Sequence, residues 1–283
     1  MQATIQWITQ ELLPLYPPEE IRGMVRLIFF HLRRYSSTDL LLKTDEKLSA
    51  SELAEVKMMV ERLKKQEPIQ YVTGETEFCG LTIRVNPSVL IPRPETEELV
   101  DWIFRHEKER PQSVLDIGTG SGCLALACKK LFPEAAVSGC DISEAALDTA
   151  RQNARQNKLE VSFFQTDILE WEQTGRWREV DLVVSNPPYV TESERNLMLP
   201  NVLEYEPASA LFVPDTDPLL FYRAIALFAR RWLNPGGRLF FEINEKFGRE
   251  IENLLAGLAF RDIEIRSDLQ GKSRMVKAIK ENK

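Results

Sequence analysis

Histidine is almost missing from this sequence. Among 283 residues there are two, His31 and His106, both in helical-looking stretches of the N-terminal part. That leaves nearly no material for a histidine triad, a histidine metal cluster or histidine general-base chemistry, and no metal site is expected. Cysteine is scarce too. Cys79, Cys123, Cys128 and Cys140 show no CxxC spacing and read as small buried apolar side chains in a reducing cytosol. No apolar run is long enough to span a bilayer. The N-terminus, "MQATIQWITQELLPLYPPEE", has neither the basic start nor the apolar core of a signal peptide. A cytoplasmic protein with no membrane partner is expected. Lysine and arginine are outnumbered 36 to 43 by aspartate and glutamate, for a net charge of −7. A field of that sign opposes nucleic acid, so no direct nucleic-acid contact is expected, and the substrate is tilted toward protein or a small molecule.

What is present falls into three textures. Over residues 1–70 the pattern is helical. "PPEEIRGMVRLIFFHLRRY" places Ile21, Met24, Val25, Ile28, Phe29 and Leu32 on one face. Pro18 and two glutamates suit its first turn, and Arg33 and Arg34 its last. "SASELAEVKMMVERLKKQ" opens with Ser49 and Glu52 at capping-box spacing. A small helical bundle follows from these. From residue 69, "IQYVTGETEFCGLTIRVNPSVLIP" turns β-branched and aromatic, broken by Gly74, Gly80 and Pro87, and reads as a β-hairpin linker over 71–92. Over 93–283 strands alternate with single helices. "SVLDIG", "AVSGCD", "VSFFQTD", "VDLVVSN", "RLFFEIN", "RDIEIRSD" and "RMVKAIK" are the strands, and the helix "DPLLFYRAIALFARRWL" is closed by "NPGG". The alternation implies an α/β fold, a mostly parallel Rossmann-like sheet with helices on both faces. In such sheets ligands sit beyond the carboxyl ends of the strands.

"VLDIGTGSG" brings Asp116, Gly118, Gly120 and Gly122 to a strand-to-helix turn. Glycines there let a ligand approach the backbone, and the helix start offers free N–H groups. A carboxylate at Asp116 would repel a pyrophosphate but welcome an amino group or a sulfonium. Asp141 ends the next strand, where an acid can accept from both ribose hydroxyls of an adenosine. Asp167 ends the third, placed to accept from an adenine amine. Any one of these could be a helix cap; three at successive strand ends point to a nucleoside. The glycine pattern alone, with Ala125 completing GxGxxA, does not choose between NAD and S-adenosylmethionine. No catalytic histidine or Tyr-x-x-x-Lys pair supports a dehydrogenase.

The fourth strand ends in "SNPPYV". "DIGTGSG" followed by "SNPPY" resembles the class I S-adenosylmethionine-dependent methyltransferases that act on exocyclic or amide nitrogen. An amide nitrogen shares its lone pair with the carbonyl and is a poor nucleophile. Two fixed acceptors, the Asn186 side-chain oxygen and the Pro187 carbonyl, can hold its two N–H groups and aim the lone pair at a methyl carbon. Pro187 and Pro188 stiffen the loop and remove competing donors, and Tyr189 can stack on the planar amide. Orientation of this kind is worth about 7–11 kcal/mol of a barrier, so no strong base is needed.

Upstream, "QYVTGETEF", "VLIPRPETE", "LDIGTGSG" and "SNPPYV" occur in the order seen in the HemK/PrmC family of protein-(glutamine-N5) methyltransferases, which nearly the whole chain resembles. The resemblance implies a class I methyltransferase domain with a seven-stranded sheet over 93–283, a substrate-docking N-terminal bundle and the hairpin linker. It implies S-adenosyl-L-methionine as cofactor, S-adenosyl-L-homocysteine as product, and the glutamine of the Gly-Gly-Gln loop of peptide chain release factors as substrate. Carried over, the cofactor positions are Asp116, Gly118, Thr119, Gly120, Ser121, Gly122, Asp141, Ile142, Asp167, Ile168 and Asn186. The substrate positions are Asn186, Pro187, Pro188, Tyr189 and Arg93, with Asn186, Pro187 and Tyr189 catalytic. Ile168 stands where the family often has an aromatic. "VPDTDP" replaces a usual Gly-Gly-x-x-Gly stretch, and "EINEKFG" replaces E-x-G-x-x-Q. A ribosomal-protein glutamine, a nucleic-acid amine and a catalytically silent binding module are the competing readings.

Overall fold

Capping chemistry starts the helices of the first part of the chain. In the computed structural model, which describes residues 1–106, 110–173 and 177–281, α1 (Gln2–Leu12) leads into α2 (Pro18–Arg33), which carries proline and Glu19 and Glu20 in its first turn. α3 (Ser37–Leu42) and α4 (Ala50–Leu63) both begin at capping boxes, Ser36 with Asp39 and Ser49 with Glu52. α5 (Ile69–Thr73) ends at Gly74 in the left-handed region. Ile8, Leu12, Ile21, Ile28, Phe29, Val56, Val60 and Leu63 bury together as the core of this bundle. Each such side chain contributes about 1.5–3 kcal/mol when fully buried. Residues 69–73, expected to be extended, are helical. Pro68 sets the N-cap and the Thr73 hydroxyl donates back to the Ile69 carbonyl at 3.0 Å. Local hydrogen bonding overrides the β-branched composition there.

The chain divides into two units, Met1–Glu75 with Leu199–Tyr205, and Thr76–Met198 with Glu206–Lys283. The second contains the hairpin β1 (Glu75–Phe78) and β2 (Leu81–Arg84) from Thr76 on, then α6 (Pro94–His106), β3 (Ser113–Ile117), α7 (Cys123–Leu131) and β4 (Ala136–Asp141). It continues with α8 (Glu144–Asn157), β5 (Ser162–Gln165), β6 (Val180–Ser185) and the two-residue β7 (Val190–Thr191). α9 (Pro200–Tyr205) falls in the first unit, and the second resumes with β8 (Phe212–Val213) and α10 (Leu220–Trp232). β9 (Leu233–Glu242), α11 (Gly248–Gly257), β10 (Phe260–Ser267) and β11 (Ser273–Lys280) complete it. The hairpin is tied to α8: Asn153 accepts the Arg84 N–H at 2.7 Å and donates to its carbonyl at 3.0 Å.

The main sheet has seven strands in the order β10-β11-β9-β6-β3-β4-β5. β3–β4, β4–β5, β3–β6 and β6–β9 are parallel, while β11 runs antiparallel to both β9 and β10. The mostly parallel seven-stranded sheet read from the alternation is therefore present. Leu115, Ile117, Val183, Leu239 and Phe241 pack on Tyr222, Ile225 and Phe228 of α10. On α6, the buried Trp102 meets Phe240 edge-on at 5.4 Å. From β3 the strand order runs one way through β4 to β5 and the other way to β6, which makes the carboxyl ends of these strands the switch point. One boundary differs from the sequence reading. "NPGG" does not separate α10 from the strand but lies inside β9: the register jumps from Val180↔Leu233 to Leu182↔Arg238. Asn234 anchors this excursion by donating to Asp181 at 2.6 Å.

Candidate active site

The turn after β3 is built by glycines of two kinds. Gly118 and Gly120 have φ of +72° and +53°, and a Cβ added to either would meet nothing within 4 Å, so their backbone borders open space. Gly122, with φ +80°, would bring a Cβ to 3.0 Å from the Ala150 Cβ and 3.1 Å from the Phe163 ring. It sets the approach of α7 to α8 and β5, and it does not line the cavity described next.

That cavity, about 320 Å³, lies within the second unit at the switch point. Its size falls in the range of small-molecule sites. Asp116, Gly118, Thr119, Gly120, Ser121, Asp141, Ile142, Asp167, Ile168, Asn186, Pro187, Pro188 and Arg93 all line it. Of the site residues named from the sequence, only Gly122 and Tyr189 do not.

The three acids have different partners. Asp116 is 1% exposed, and one of its oxygens accepts from the Thr119 hydroxyl at 2.6 Å and the Ala125 N–H at 3.1 Å. Burial pushes its carboxyl up to about 7, against the pull of those two donors. Asp141 accepts the Gly120 N–H through one oxygen and the Ser143 N–H through the other, both at 2.9 Å, which fixes it at the end of β4; burial raises it as well. Asp167, half-buried, accepts the Leu169 N–H at 2.8 Å and so also caps the 3-10 turn that begins at Ile168. Beside it the Thr166 hydroxyl is buried with no partner among the described residues, and Thr166 lines the same cavity. An orphaned buried hydroxyl costs about 1–3 kcal/mol unless something accepts or donates to it. With three acids and a glycine-edged wall, that suits a ligand rich in hydroxyl, amine and cationic groups, which is the chemistry of S-adenosylmethionine.

At the end of β6, Asn186 donates its side-chain N–H to the Thr96 hydroxyl oxygen at 3.2 Å. Thr96 in turn donates to the Glu242 carboxylate at 2.6 Å. Tyr189 packs against the domain core, and its hydroxyl donates to the other Glu242 oxygen at 2.9 Å. The short β7 begins at the next residue, Val190, and Asn244 holds the Tyr189 carbonyl at 3.1 Å. Arg93 reaches the cavity wall with its guanidinium paired to the buried Glu206 carboxylate, whose second oxygen accepts the Ile91 N–H at 3.1 Å. Thr96, Thr166, Glu206 and Glu242 were given no role from the sequence, although Thr96 lies in "VLIPRPETE" and Glu242 opens "EINEKFG". Among the described residues no group of three or more His, Cys, Asp or Glu is arranged to hold a metal, and no helix is long and apolar enough to cross a membrane.

A mostly parallel seven-stranded sheet with an antiparallel β11 and a glycine-edged cavity at its switch point defines a class I methyltransferase domain. A methyltransferase from Pyrococcus furiosus shares the fold with a TM-score of 0.51 at 21% identity, over 71% of this chain and 90% of that one. So does a 16S rRNA N2 methyltransferase from T. thermophilus solved with AdoMet and guanosine, with a TM-score of 0.51 at 20% identity over 73% and 49%. Residues 97–210 match the methyltransferase small domain, and residues 3–74 match the PrmC N-terminal domain. A release factor glutamine methyltransferase of Bacteroides thetaiotaomicron is 44% identical over 98% of this chain and 99% of its own length. Another, from Flavobacterium psychrophilum, is 42% identical over 95% of each. The chain belongs to the HemK/PrmC family.

Proposed function

We propose that this protein is an S-adenosylmethionine-dependent protein-(glutamine-N5) methyltransferase whose substrate is the glutamine of the Gly-Gly-Gln loop of peptide chain release factors. The observation that carries the reading is that Asn186 and Pro187 line the same cavity as the acid-bearing glycine turn. The names of the relatives in B. thetaiotaomicron and F. psychrophilum support the substrate.

Bound S-adenosylmethionine supplies an electrophilic methyl on a sulfonium. In this reading Asp116 and the glycine turn take the methionine end, Asp141 the ribose, and Asp167, Ile168 and Thr166 the adenine side. The Asn186 oxygen and the Pro187 carbonyl accept the two amide N–H groups of the substrate glutamine and point its nitrogen at the methyl. A bond forms between that nitrogen and the methyl carbon while the carbon–sulfur bond breaks, its electron pair staying on sulfur. The nitrogen then loses a proton to water, which suits a site with no histidine near it. The N-terminal unit is the candidate for docking the release factor, and the cytoplasm, where translation ends, is the expected location.

The test is mass spectrometry of a release factor incubated with the protein and S-adenosylmethionine. One added methyl on the Gly-Gly-Gln glutamine is expected. A methyl that still appears after that glutamine is replaced would eliminate the assignment.

A further inference from the structure

The orientation of Asn186 is set by a chain of hydrogen bonds that ends on a buried charge. Glu242 is the last residue of β9 and 1% exposed; Thr96, on α6, is 3% exposed. The Glu242 carboxylate accepts from Tyr189 through one oxygen and from Thr96 through the other. A threonine hydroxyl has one hydrogen. Once it is given to Glu242, Thr96 has only lone pairs left for a neighbour. Asn186 can meet those lone pairs only with its NH2, and so its oxygen must lie on the opposite side of the amide. The two ends of an asparagine carboxamide are nearly identical in shape, so its direction is decided by the bonding network. Without Thr96 the NH2 and the oxygen would compete for the cavity side.

We propose that Thr96 and Glu242 are positioning residues for Asn186: a carboxylate-to-hydroxyl-to-amide relay turns the Asn186 oxygen toward the cavity, and so selects a substrate that presents N–H donors. This rests on the proposed reading that a glutamine amide occupies the acceptor end of the cavity. The relay gives a role to the buried acid that follows the apolar residues 239–241 in β9. Burial, with Glu95 adding to it, raises the Glu242 carboxyl, while two hydroxyl donors and the nearby Arg274 pull the other way. It also ties both ends of the Asn186–Tyr189 loop to one carboxylate, so that the loop cannot shift without breaking bonds to a buried charge.

The experiment compares Thr96→Val, Thr96→Ser and Thr96→Val placed in an Asn186→Ala background, with kcat, KM for both substrates and Tm measured for each. Thr96→Val is expected to lose roughly ten- to a hundredfold in kcat with KM for S-adenosylmethionine moved by less than about threefold, the loss confined to the acceptor end. Thr96→Ser keeps the hydroxyl and is expected to recover most of the rate. In the Asn186→Ala background the valine is expected to cost less than about twofold, because the residue it acts through is gone. An equal penalty in both backgrounds, or a serine variant as slow as the valine one, would overturn the relay and leave Thr96 as a packing residue. A readout free of turnover separates this from the substrate assignment. The side-chain amide protons of Asn186, followed by NMR in the labelled ligand-free protein, are expected to show a slowly exchanging proton in the wild type and Thr96→Ser that is lost in Thr96→Val. An unchanged Asn186 amide in Thr96→Val would sink the relay even if the release factor is methylated. A wild type with the protected proton that leaves release factors unmodified would instead overturn the substrate.

Discussion

Asn186 and Asp116 line one cavity from the ends of neighbouring strands and lend themselves to different tests. Asn186→Ala is expected to lose most turnover while cofactor affinity stays within about tenfold, or ~1.4 kcal/mol, because only the acceptor grip is removed. Steady-state kinetics beside cofactor titration checks the split. Asp116 bears on stability. Its carboxyl sits near 7 in the folded chain against an ordinary 3.8. Between those values the folded state holds a proton the unfolded chain has released, so stability falls as pH rises from about 4 through about 7 and stays lowered above. Burial raises Asp141 and Glu242 in the same direction. Asp116→Asn is therefore expected to raise the Tm of the ligand-free protein at alkaline pH, to leave it little changed well below 4, and to weaken cofactor binding. Melting curves across that range, with and without S-adenosylmethionine, decide it. The motif residues were legible because each sits at a strand end announced by its own sequence. The roles of Thr96 and Glu242 were not, although both lie in motif words, because the partners of Thr96 lie 90 and 146 residues away along the chain.

Among the elements, α7, α8 and β5 meet closely around Gly122. A side chain there must adopt φ near +80° and enter space held by Ala150 and Phe163. Gly122→Ala is expected to destabilise the protein by about 2 kcal/mol or more, the combined effect of left-handed strain and overpacking, with denaturant midpoints as the measure. The sequence pattern separated helices from strands well where periodicity was long, as in α2, α4 and β3 to β6. It misjudged segments ruled by single local contacts. Ile69–Thr73 has strand-like composition yet coils under the Pro68 cap, and "NPGG" reads as a helix terminator yet is absorbed as an excursion inside β9.

For the whole molecule, the expectation concerns ligand and stability together. A ligand that binds only the folded chain raises stability by about 2.7 kcal/mol when present at about 100 times its Kd. Saturating S-adenosylmethionine is therefore expected to move the melting transition of the second unit upward, and S-adenosylhomocysteine to do likewise, while NAD leaves it in place. Calorimetry with the three ligands checks this. A shift with NAD alone would remove the basis for reading the acid at Asp116 as favouring a cationic ligand.

The relay also dates the site within biosynthesis. Every residue assigned to hold the nucleoside and methionine ends, from Asp116 to Ile168, has left the ribosome long before Glu242 is made, and domains fold in the order they emerge. Asn186 thus stays free to turn either way until β9 pairs with β6 and brings Glu242 to Thr96. Under the relay, competence to modify another protein arrives only with β9, the same strand that joins the last two to the sheet, so a chain truncated before it loses three of seven strands and is expected to lose its fold along with its catalysis.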